Sequence, residues 1–299
     1  MMASTLARQR RATSIGFVAV LMWALLALFT AATGQVPPLQ LAAMTFGLAF
    51  ALALLKWLLR GENIVRHLRH RPVVWAVGVG GLFGYHFFYF VALRNAPAVE
   101  ASLIAYLWPL LIVLFSALLP GERLRWWHLA GAVTGLAGAI LLTGGDQVFS
   151  AGIRLAPGHF AALACAFLWS GYSVLSRRLG HVPTDTVGGF CGVTALLALL
   201  AHLMFESTVW PADARQWLAV AGLGLGPVGL AFFCWDHGVK HGHIQALGAS
   251  SYAAPLLSTL VLILFGFAAV TWTVALACLL ITGGAFLASI DLLRPNKLR

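Results

Sequence analysis

ASLIAYLWPLLIVLFSALLPG, residues 101–121, contains no charged side chain and is apolar at most positions. An α-helix needs about 20 such residues to cross the hydrocarbon core of a bilayer. The stretch also carries Tyr106 and Pro109, and the same pair recurs 146 residues later as Tyr252 and Pro255. A membrane-spanning helix that occurs twice at a fixed offset therefore decides the fold.

Charge is scarce along the whole chain. Of the 299 residues, 61% are apolar and 9% are charged, against about 25% charged in an ordinary soluble domain. This excludes a soluble enzyme, whose water-facing surface needs more charge. Charge-free runs of 20 or more residues occupy 12–55, 72–93, 101–121, 126–145, 155–176, 186–205, 216–235 and 241–290. Because the first and last runs hold two helices each, we predict an all-α polytopic membrane protein with ten transmembrane helices.

The basic residues predict the orientation of these helices. With the N-terminus inside, sixteen of the nineteen Lys and Arg residues fall on the cytoplasmic side, and only Arg94, Arg154 and Arg215 fall outside. Both termini are therefore predicted to be cytoplasmic, in a bacterial inner membrane. The net charge of +10 is interpreted as this orientation signal and as attraction to the lipid bilayer, not as evidence for nucleic-acid binding. The first apolar run is too long for a secretory signal peptide and is counted as helix 1.

The chain superimposes on itself at an offset of 146 residues without a gap. The matching pairs are Trp23 and Trp169, Gly34 and Gly180, Pro37 and Pro183, Gly80 and Gly226, Tyr106 and Tyr252, Pro109 and Pro255, and Trp126 and Trp272. Each unit holds five helices, an odd number, so the second unit enters the membrane with opposite polarity. We predict two inverted five-helix repeats, residues 1–145 and 146–299, an architecture typical of secondary transporters.

A local motif places this architecture in a family. Pro120-Gly121-Glu122 precedes helix 5, Gly131 follows, and helix 4 carries Tyr106-x-x-Pro109. On these residues the chain resembles the drug/metabolite transporter superfamily in its ten-helix EamA-type form, over roughly residues 14–293. It departs from the family pattern at Phe267-Ala268, where the family usually repeats Gly-Glu. The branch it most resembles consists of bacterial exporters of aromatic amino acids, which implies export of aromatic and other bulky apolar amino acids by alternating access.

Aromatic and polar side chains in the middle of the spans are the candidate binding residues. A buried phenol or indole needs a protein partner or a wet cavity, so these groups are expected to converge on a central site. On helix 4, Tyr106 and Trp108 lie about 160° apart in helical projection, and Tyr106 is favoured because Tyr252 is its repeat mate. The predicted substrate-binding residues are Trp23, Tyr85, His86, Tyr89, Tyr106, Trp169, Ser251 and Tyr252.

Two prolines interrupt spans at equivalent positions. Pro109 and Pro255 each remove a helical hydrogen bond and free the carbonyl four residues earlier, at Ala105 and Ser251. One interpretation is a packing kink that neighbouring helices accommodate. The other is that the freed carbonyls meet the ammonium group of a substrate. The sequence leaves both open.

Few ionisable groups lie in or near the spans. Glu100 and His86 are candidates for proton or cation coupling. The alternatives are an ion pair of Glu100 with Arg94 and a packing role for His86. His237 and His241, beside Asp236 and Lys240, have the i, i+4 spacing of metal ligands, but a solvated cytoplasmic loop is the favoured interpretation and no metal site is predicted.

The absences in the sequence narrow the function. No Gly-x-x-x-x-Gly-Lys-[Ser/Thr] loop occurs, so neither ATP nor another cofactor is expected. The absence of Lys and Arg from residues 241–290 disfavours phosphate-bearing substrates. Export of cationic drugs or other small metabolites remains an alternative, and an intramembrane enzyme is a remote one. The sequence leaves two choices open: whether transport is coupled to protons or runs downhill, and whether the protein is a monomer or a homodimer. The face formed by Gly131, Gly135 and Gly138 fits either a seam within the chain or a dimer contact.

Overall fold

The computed structural model describes residues 2–143, 155–264, 269 and 271–293, and within them every regular element is helical. We label the longer helices in chain order: α1 (Met2–Trp23, continued as Leu26–Ala32), α2 (Pro38–Leu59), α3 (Pro72–Asn95), α4 (Ala98–Ser116), α5 (Trp126–Leu142), α6 (Pro157–Arg178), α7 (Thr186–Phe205), α8 (Ala214–His241), α9 (Ile244–Ser250 and Ala253–Leu264) and α10 (Trp272–Ala288). Short helices cover Ile64–Leu68 and Ile290–Leu293. The departure at Phe267-Ala268 lies outside the described residues.

Seven of the described helices, α1 to α4 and α6 to α8, are long and apolar enough to cross a membrane. The helices α5 and α10 are equally apolar in character but have only 17 residues each. This confirms the prediction of an all-helical polytopic membrane protein. Proline at the first or second position starts α2, α3 and α6, where its missing N–H would have no helical partner.

Irregular turns occur at matching positions in the two halves of the chain. A π-helical segment spans Gly80–Gly84 in α3, and another spans Gly226–Leu230 in α8, 146 residues later. Such wide turns leave backbone groups outside the α-helical pattern and are frequent at functional sites. The helix α4 is interrupted at Tyr106 and Leu107, shortly before Pro109, and α9 is interrupted at Ser251 and Tyr252, shortly before Pro255.

The helices of the two halves interdigitate. Extensive contacts join α2 to α7, α5 to α10, α1 to the second half of α8, and α6 to the second half of α3. The α5–α10 contact is close because small residues face each other: a Cβ added at Gly131 would lie 2.5 Å from the carbonyl oxygen of Gly284. Gly135 and Gly138 also face groups of the same chain, so this small-residue face forms an intramolecular seam. The largest buried cluster lies between the halves, with members from α1 to α4 and α6 to α9.

Candidate functional site

Four tryptophans from four helices meet at the centre of the molecule. Trp23 of α1 lies 5.6 Å from Trp169 of α6 and 5.1 Å from Trp235 of α8, between ring centroids. Trp108 of α4 lies 6.2 Å from Trp23 and 5.8 Å from Trp235, in edge-to-face geometry. These four residues are called the tryptophan cluster below. Three of the rings are buried, whereas Trp23 is partly exposed, so its ring offers an aromatic surface to a ligand.

Hydrogen bonds fix the orientation of two of these indoles. Trp23 Nε1 donates to the carbonyl oxygen of Pro227, at 3.1 Å, within the π-helical segment of α8. Trp235 Nε1 donates to Ser173 Oγ, at 3.0 Å. An indole N–H deep in a membrane protein needs such a partner, so the cluster is held rigidly in place.

The polar aromatic stripe of α3 lies beside the cluster. Tyr85 lies 5.6 Å from Trp169 and stacks on Tyr89 at 5.9 Å, between ring centroids. The Tyr89 and Ser102 hydroxyl oxygens are 3.2 Å apart. Tyr85, His86 and Tyr89 are all partly exposed. The structure therefore brings five of the predicted residues together, Trp23, Tyr85, His86, Tyr89 and Trp169.

His86 presents one defined acceptor to this region. Its Nδ1 lies 2.7 Å from the Leu82 carbonyl oxygen, which can only accept, so Nδ1 carries the proton and Nε2 keeps a free lone pair in the neutral ring. The ring packs edge-on against Phe46 at 5.1 Å and lies 6.2 Å from Phe232, between centroids. An acceptor between aromatic faces suits a ligand that combines a ring with an ammonium group.

Two predicted residues lie elsewhere. Tyr252 is fully buried, its hydroxyl oxygen accepts the Leu110 N–H at 3.2 Å, and its ring fills the space beside Gly135 of α5. Ser251 is also fully buried and donates to the Leu247 carbonyl oxygen at 2.7 Å. Both side chains pack between helices rather than against the tryptophan cluster. Tyr106 lies at the break in α4 and is partly exposed.

The sequence did not single out several members of the central region. An ideal helix turns Trp108 away from Tyr106, but α4 is broken between these two residues, so the ideal projection does not apply across the break. Trp235 and Phe232 were missed. Their i, i+3 spacing on α8 places them on one face, which was the available signal.

The acid at the start of α4 has a different partner from the one considered in the sequence. Glu100 Oε2 lies 2.7 Å from His159 Nε2 at the start of α6, whereas Arg94 pairs with Glu206 at 3.2 Å. His159 Nδ1 accepts the Ala156 N–H at 3.0 Å, which leaves the proton on Nε2, the nitrogen nearer the carboxylate. The sequence could not identify this pair because the two residues are distant along the chain.

The favoured interpretation of Asp236 and Lys240 as part of a solvated loop is wrong. Their side chains are only 1% and 3% exposed, and Lys240 Nζ lies 2.8 Å from Asp236 Oδ2. The reason is that α8 continues as a helix to His241 and packs against α1 and α6 there. His241 is exposed, in contrast.

A polar network closes the end of the molecule where α4 stops and α5 begins, called the inner end because the sequence predicts it to be cytoplasmic. Glu122 accepts from Arg177 and from Gln245 Nε2, the latter at 3.0 Å. Arg177 Nη1 also donates to the carbonyl oxygens of Val239 and Gly242, at 2.9 and 2.8 Å. This inner-end network ties the α4–α5 loop to α6, the end of α8 and the start of α9.

Replacing Glu122 with Gln should loosen this closure. The change removes a negative charge that accepts from a guanidinium, and hydrogen bonds to charged groups contribute about 1.5–3 kcal/mol. We expect amide hydrogen exchange in residues 243–250 to be about tenfold faster, measured by mass spectrometry on purified protein. Glu62→Gln changes a partly exposed carboxylate that pairs with Arg60 and His67 and lies outside the inner-end network, and it is the matched control. Unchanged exchange in the Glu122 variant would show that the network does not hold the inner end.

Among the residues that the structure describes, two groups of side chains have the composition of metal ligands. They are His128 with His243 and Asp291, and Glu62 with His67 and Asp185. In the buried group, the Nδ1 atoms of both histidines accept backbone N–H groups, at 3.2 Å each. This places the ring protons on Nε2, and His128 Nε2 lies 3.1 Å from Asp291. Burial, followed by the nearby His128, lowers the pKa of His243 to about 4, in keeping with a neutral ring. The geometry favours helix capping and hydrogen bonding over metal ligation.

Comparison with known proteins defines the class. The model of the EamA-like transporter family matches residues 11–144 and again residues 156–290. The chain belongs to this family of drug/metabolite transporters, and it is therefore a multi-pass membrane transporter, not an enzyme.

Two relatives and one solved structure match most of the chain. The chain is 55% identical to a protein of Ancylobacter novellus named aromatic amino acid exporter YddG, over 93% of this chain and 97% of that protein. It is 25% identical to the protein of the same name from Salmonella typhimurium, over 84% of this chain and 87% of that one. A crystal structure of a chain 54% identical in sequence has a TM-score of 0.88 and covers 95% of this chain and 98% of that chain.

Proposed function

We propose that this protein is a secondary transporter that exports aromatic and other bulky apolar amino acids across the bacterial inner membrane. The observation that carries the proposal is the tryptophan cluster between the two halves of the chain, with the Trp23 ring partly exposed. The name of the relative that is 55% identical supports the same substrate class. Inverted-repeat transporters bind their substrates at the interface between the repeats, which supports a central site.

The chemistry of the central region suits an aromatic amino acid. Trp23 and Tyr85 supply faces for the side chain of the substrate. His86 Nε2 and the Tyr89 and Ser102 hydroxyl groups supply hydrogen-bonding partners for its polar end. Tyr106, at the break in α4, extends this surface, whereas Ser251 and Tyr252 support it from the packed side. The helix breaks beside Pro109 and Pro255 give α4 and α9 points at which to bend during transport.

The architecture we propose for transport is two inverted five-helix repeats, residues 1–145 and 146–299, with ten transmembrane helices and cytoplasmic termini. Two observations support it. The π-helical segments recur at the repeat offset of 146 residues, and the two helix breaks contain Tyr106 and Tyr252, which are related by the same offset. Helices at equivalent positions also pack against each other, α2 with α7 and α5 with α10.

The closed inner end supports a proposed access state. Glu122, Arg177 and Gln245 bridge the halves at that end, while the α3 stripe beside the cluster is partly exposed. We assign this arrangement to an outward-facing state, in which the central site communicates with the outside. Alternating access then requires the inner-end network to break while α3 and α4 close over the site.

A competition assay in proteoliposomes tests the substrate class. Uptake of labelled L-phenylalanine by purified protein should be saturable, and unlabelled tryptophan, tyrosine and leucine should reduce it, whereas lysine, glutamate and a nucleotide sugar should not. Competition by a cationic aromatic drug, without competition by amino acids, would support the alternative function. Flux of phenylalanine no greater than in empty liposomes would contradict the proposal.

An imposed pH gradient in the same assay tests the coupling role of Glu100 and His86.

A further inference from the structure

A buried ion pair lies directly below the tryptophan cluster, toward the inner end. Asp236 follows Trp235 in α8, and its Oδ2 accepts from Lys240 Nζ and from Thr184 Oγ1, both at 2.8 Å. Lys240 Nζ also donates to the Val182 carbonyl oxygen at 2.9 Å. Asp236 Oδ1 is buried and has no hydrogen-bond partner among the described residues.

The ion pair of Asp236 and Lys240 is not an efficient way to stabilise the fold. Removing two charges from water is costly, and replacing a buried ion pair with well-packed apolar side chains is often neutral or stabilising. The partly exposed pair of Lys56 and Asp185 at the same end, with side chains 37% and 31% exposed, carries less of this cost. A role other than folding therefore accounts better for Asp236 and Lys240.

A small cavity lies beside the pair. Asp236 and Lys240 line a cavity whose other walls are mostly apolar, formed by Val74, Val77, Val182 and Phe190. The cavity is about the size of one water molecule. In this closed state the pocket is too small for an amino acid.

One carboxylate, one ammonium group and apolar walls are the complement of a single ligand class, a zwitterionic α-amino acid. We propose that Asp236 and Lys240 form a loading subsite on the cytoplasmic side of the tryptophan cluster. When the inner end opens, the α-ammonium of the substrate pairs with Asp236, its α-carboxylate pairs with Lys240, and its side chain lies among the apolar walls. On closure the two residues pair with each other again. This inference rests on the proposed export of amino acids.

The pairing explains how charged groups pass the inner half of the membrane. The ends of the zwitterion exchange partners with two protein charges, so neither protein charge is left unpaired when the site opens. A phosphate-bearing ligand would need an excess of positive charge, and the pair has none. The unpartnered Asp236 Oδ1 supplies an acceptor for the incoming ammonium group.

Sided transport measurements test the subsite. In inverted membrane vesicles, which expose the cytoplasmic face, the double variant Asp236→Asn/Lys240→Gln should raise the KM for labelled L-phenylalanine by about tenfold, through the loss of charge-assisted hydrogen bonds. In right-side-out vesicles the KM should stay within about twofold, because loading from outside starts at the tryptophan cluster.

Substrate analogues identify the role of each residue. Phenethylamine lacks the carboxylate and 3-phenylpropionate lacks the ammonium group. In inverted vesicles, Lys240→Gln should lose the preference for phenylalanine over phenethylamine, and Asp236→Asn should lose the preference over 3-phenylpropionate. A merely structural pair would change transport of all three compounds alike.

Controls separate the possible failures. Lys56→Gln/Asp185→Asn removes the partly exposed pair at the same end and should leave the sided KM values unchanged. Should the neutral double variant fail to fold, Asp236→Glu/Lys240→Arg shifts both charges without removing them and should alter the preference between phenylalanine and the two analogues. Unchanged KM and unchanged preference in folded variants would overturn the subsite. Absence of saturable phenylalanine uptake by the unmodified protein would instead contradict the proposed function.

Discussion

Trp23→Ala is expected to lower the transport rate of an aromatic amino acid by about 30-fold, which corresponds to about 2 kcal/mol. The Trp23 ring contacts Trp108, Trp169, Phe232 and Trp235, and it is the partly exposed member of the tryptophan cluster. Its removal deletes the aromatic surface on which the substrate ring stacks. Initial rates of labelled phenylalanine uptake in proteoliposomes, normalised to the amount of reconstituted protein, measure the effect.

Two variants control for this result. Trp23→Phe keeps an aromatic face and removes the hydrogen bond to Pro227, so it should retain most of the rate. Trp126→Ala removes an indole that is 72% exposed at the start of α5 and should transport like the unmodified protein. Equal loss in the Trp23 and Trp126 variants would mean that the cluster has no special part in transport.

Tyr252→Ala is expected to act on stability first. Truncating a fully buried aromatic ring costs about 3–5 kcal/mol, and Tyr252 packs beside Gly135 and accepts the Leu110 N–H. Tyr252→Phe keeps the ring but leaves that N–H without its acceptor, at a cost of about 1–3 kcal/mol. The free energy of unfolding in mixed micelles should fall in the order unmodified, Tyr252→Phe, Tyr252→Ala.

A variant of α3 provides the comparison for Tyr252→Ala. Tyr89→Ala changes a partly exposed ring beside the cluster, so it should reduce flux with a smaller loss of stability than Tyr252→Ala. A Tyr252→Ala variant as stable as the unmodified protein but unable to transport would place Tyr252 in contact with the substrate and contradict the packing role.

Much of the fold follows from the sequence because lipid permits so few solutions. A charge-free run of about 20 residues in a membrane protein has to form a helix that satisfies its own backbone. The run at 155–176 corresponds to α6, Pro157–Arg178, and the run at 186–205 coincides with α7, Thr186–Phe205. The match to the EamA-like family over both halves of the chain confirms the predicted family and the transporter class.

The composition of the candidate site was harder to predict because it depends on local irregularity and on long-range packing. The break in α4 changes which face of that helix carries Trp108 toward the centre. The burial of Asp236 and Lys240 depends on how far α8 extends and on what packs against it. Likewise, the pairing of Glu100 with His159 joins residues from different halves of the chain, which one-dimensional periodicity does not record.

The position of a bound substrate tests the central claim most directly. The protein crystallised with 4-bromo-L-phenylalanine should show an anomalous bromine peak beside the tryptophan cluster, with the substrate ring centroid about 4.5–7 Å from that of Trp23. A bromine peak at the lipid-facing surface or within the α5–α10 seam, in protein that transports the same compound, would contradict the account.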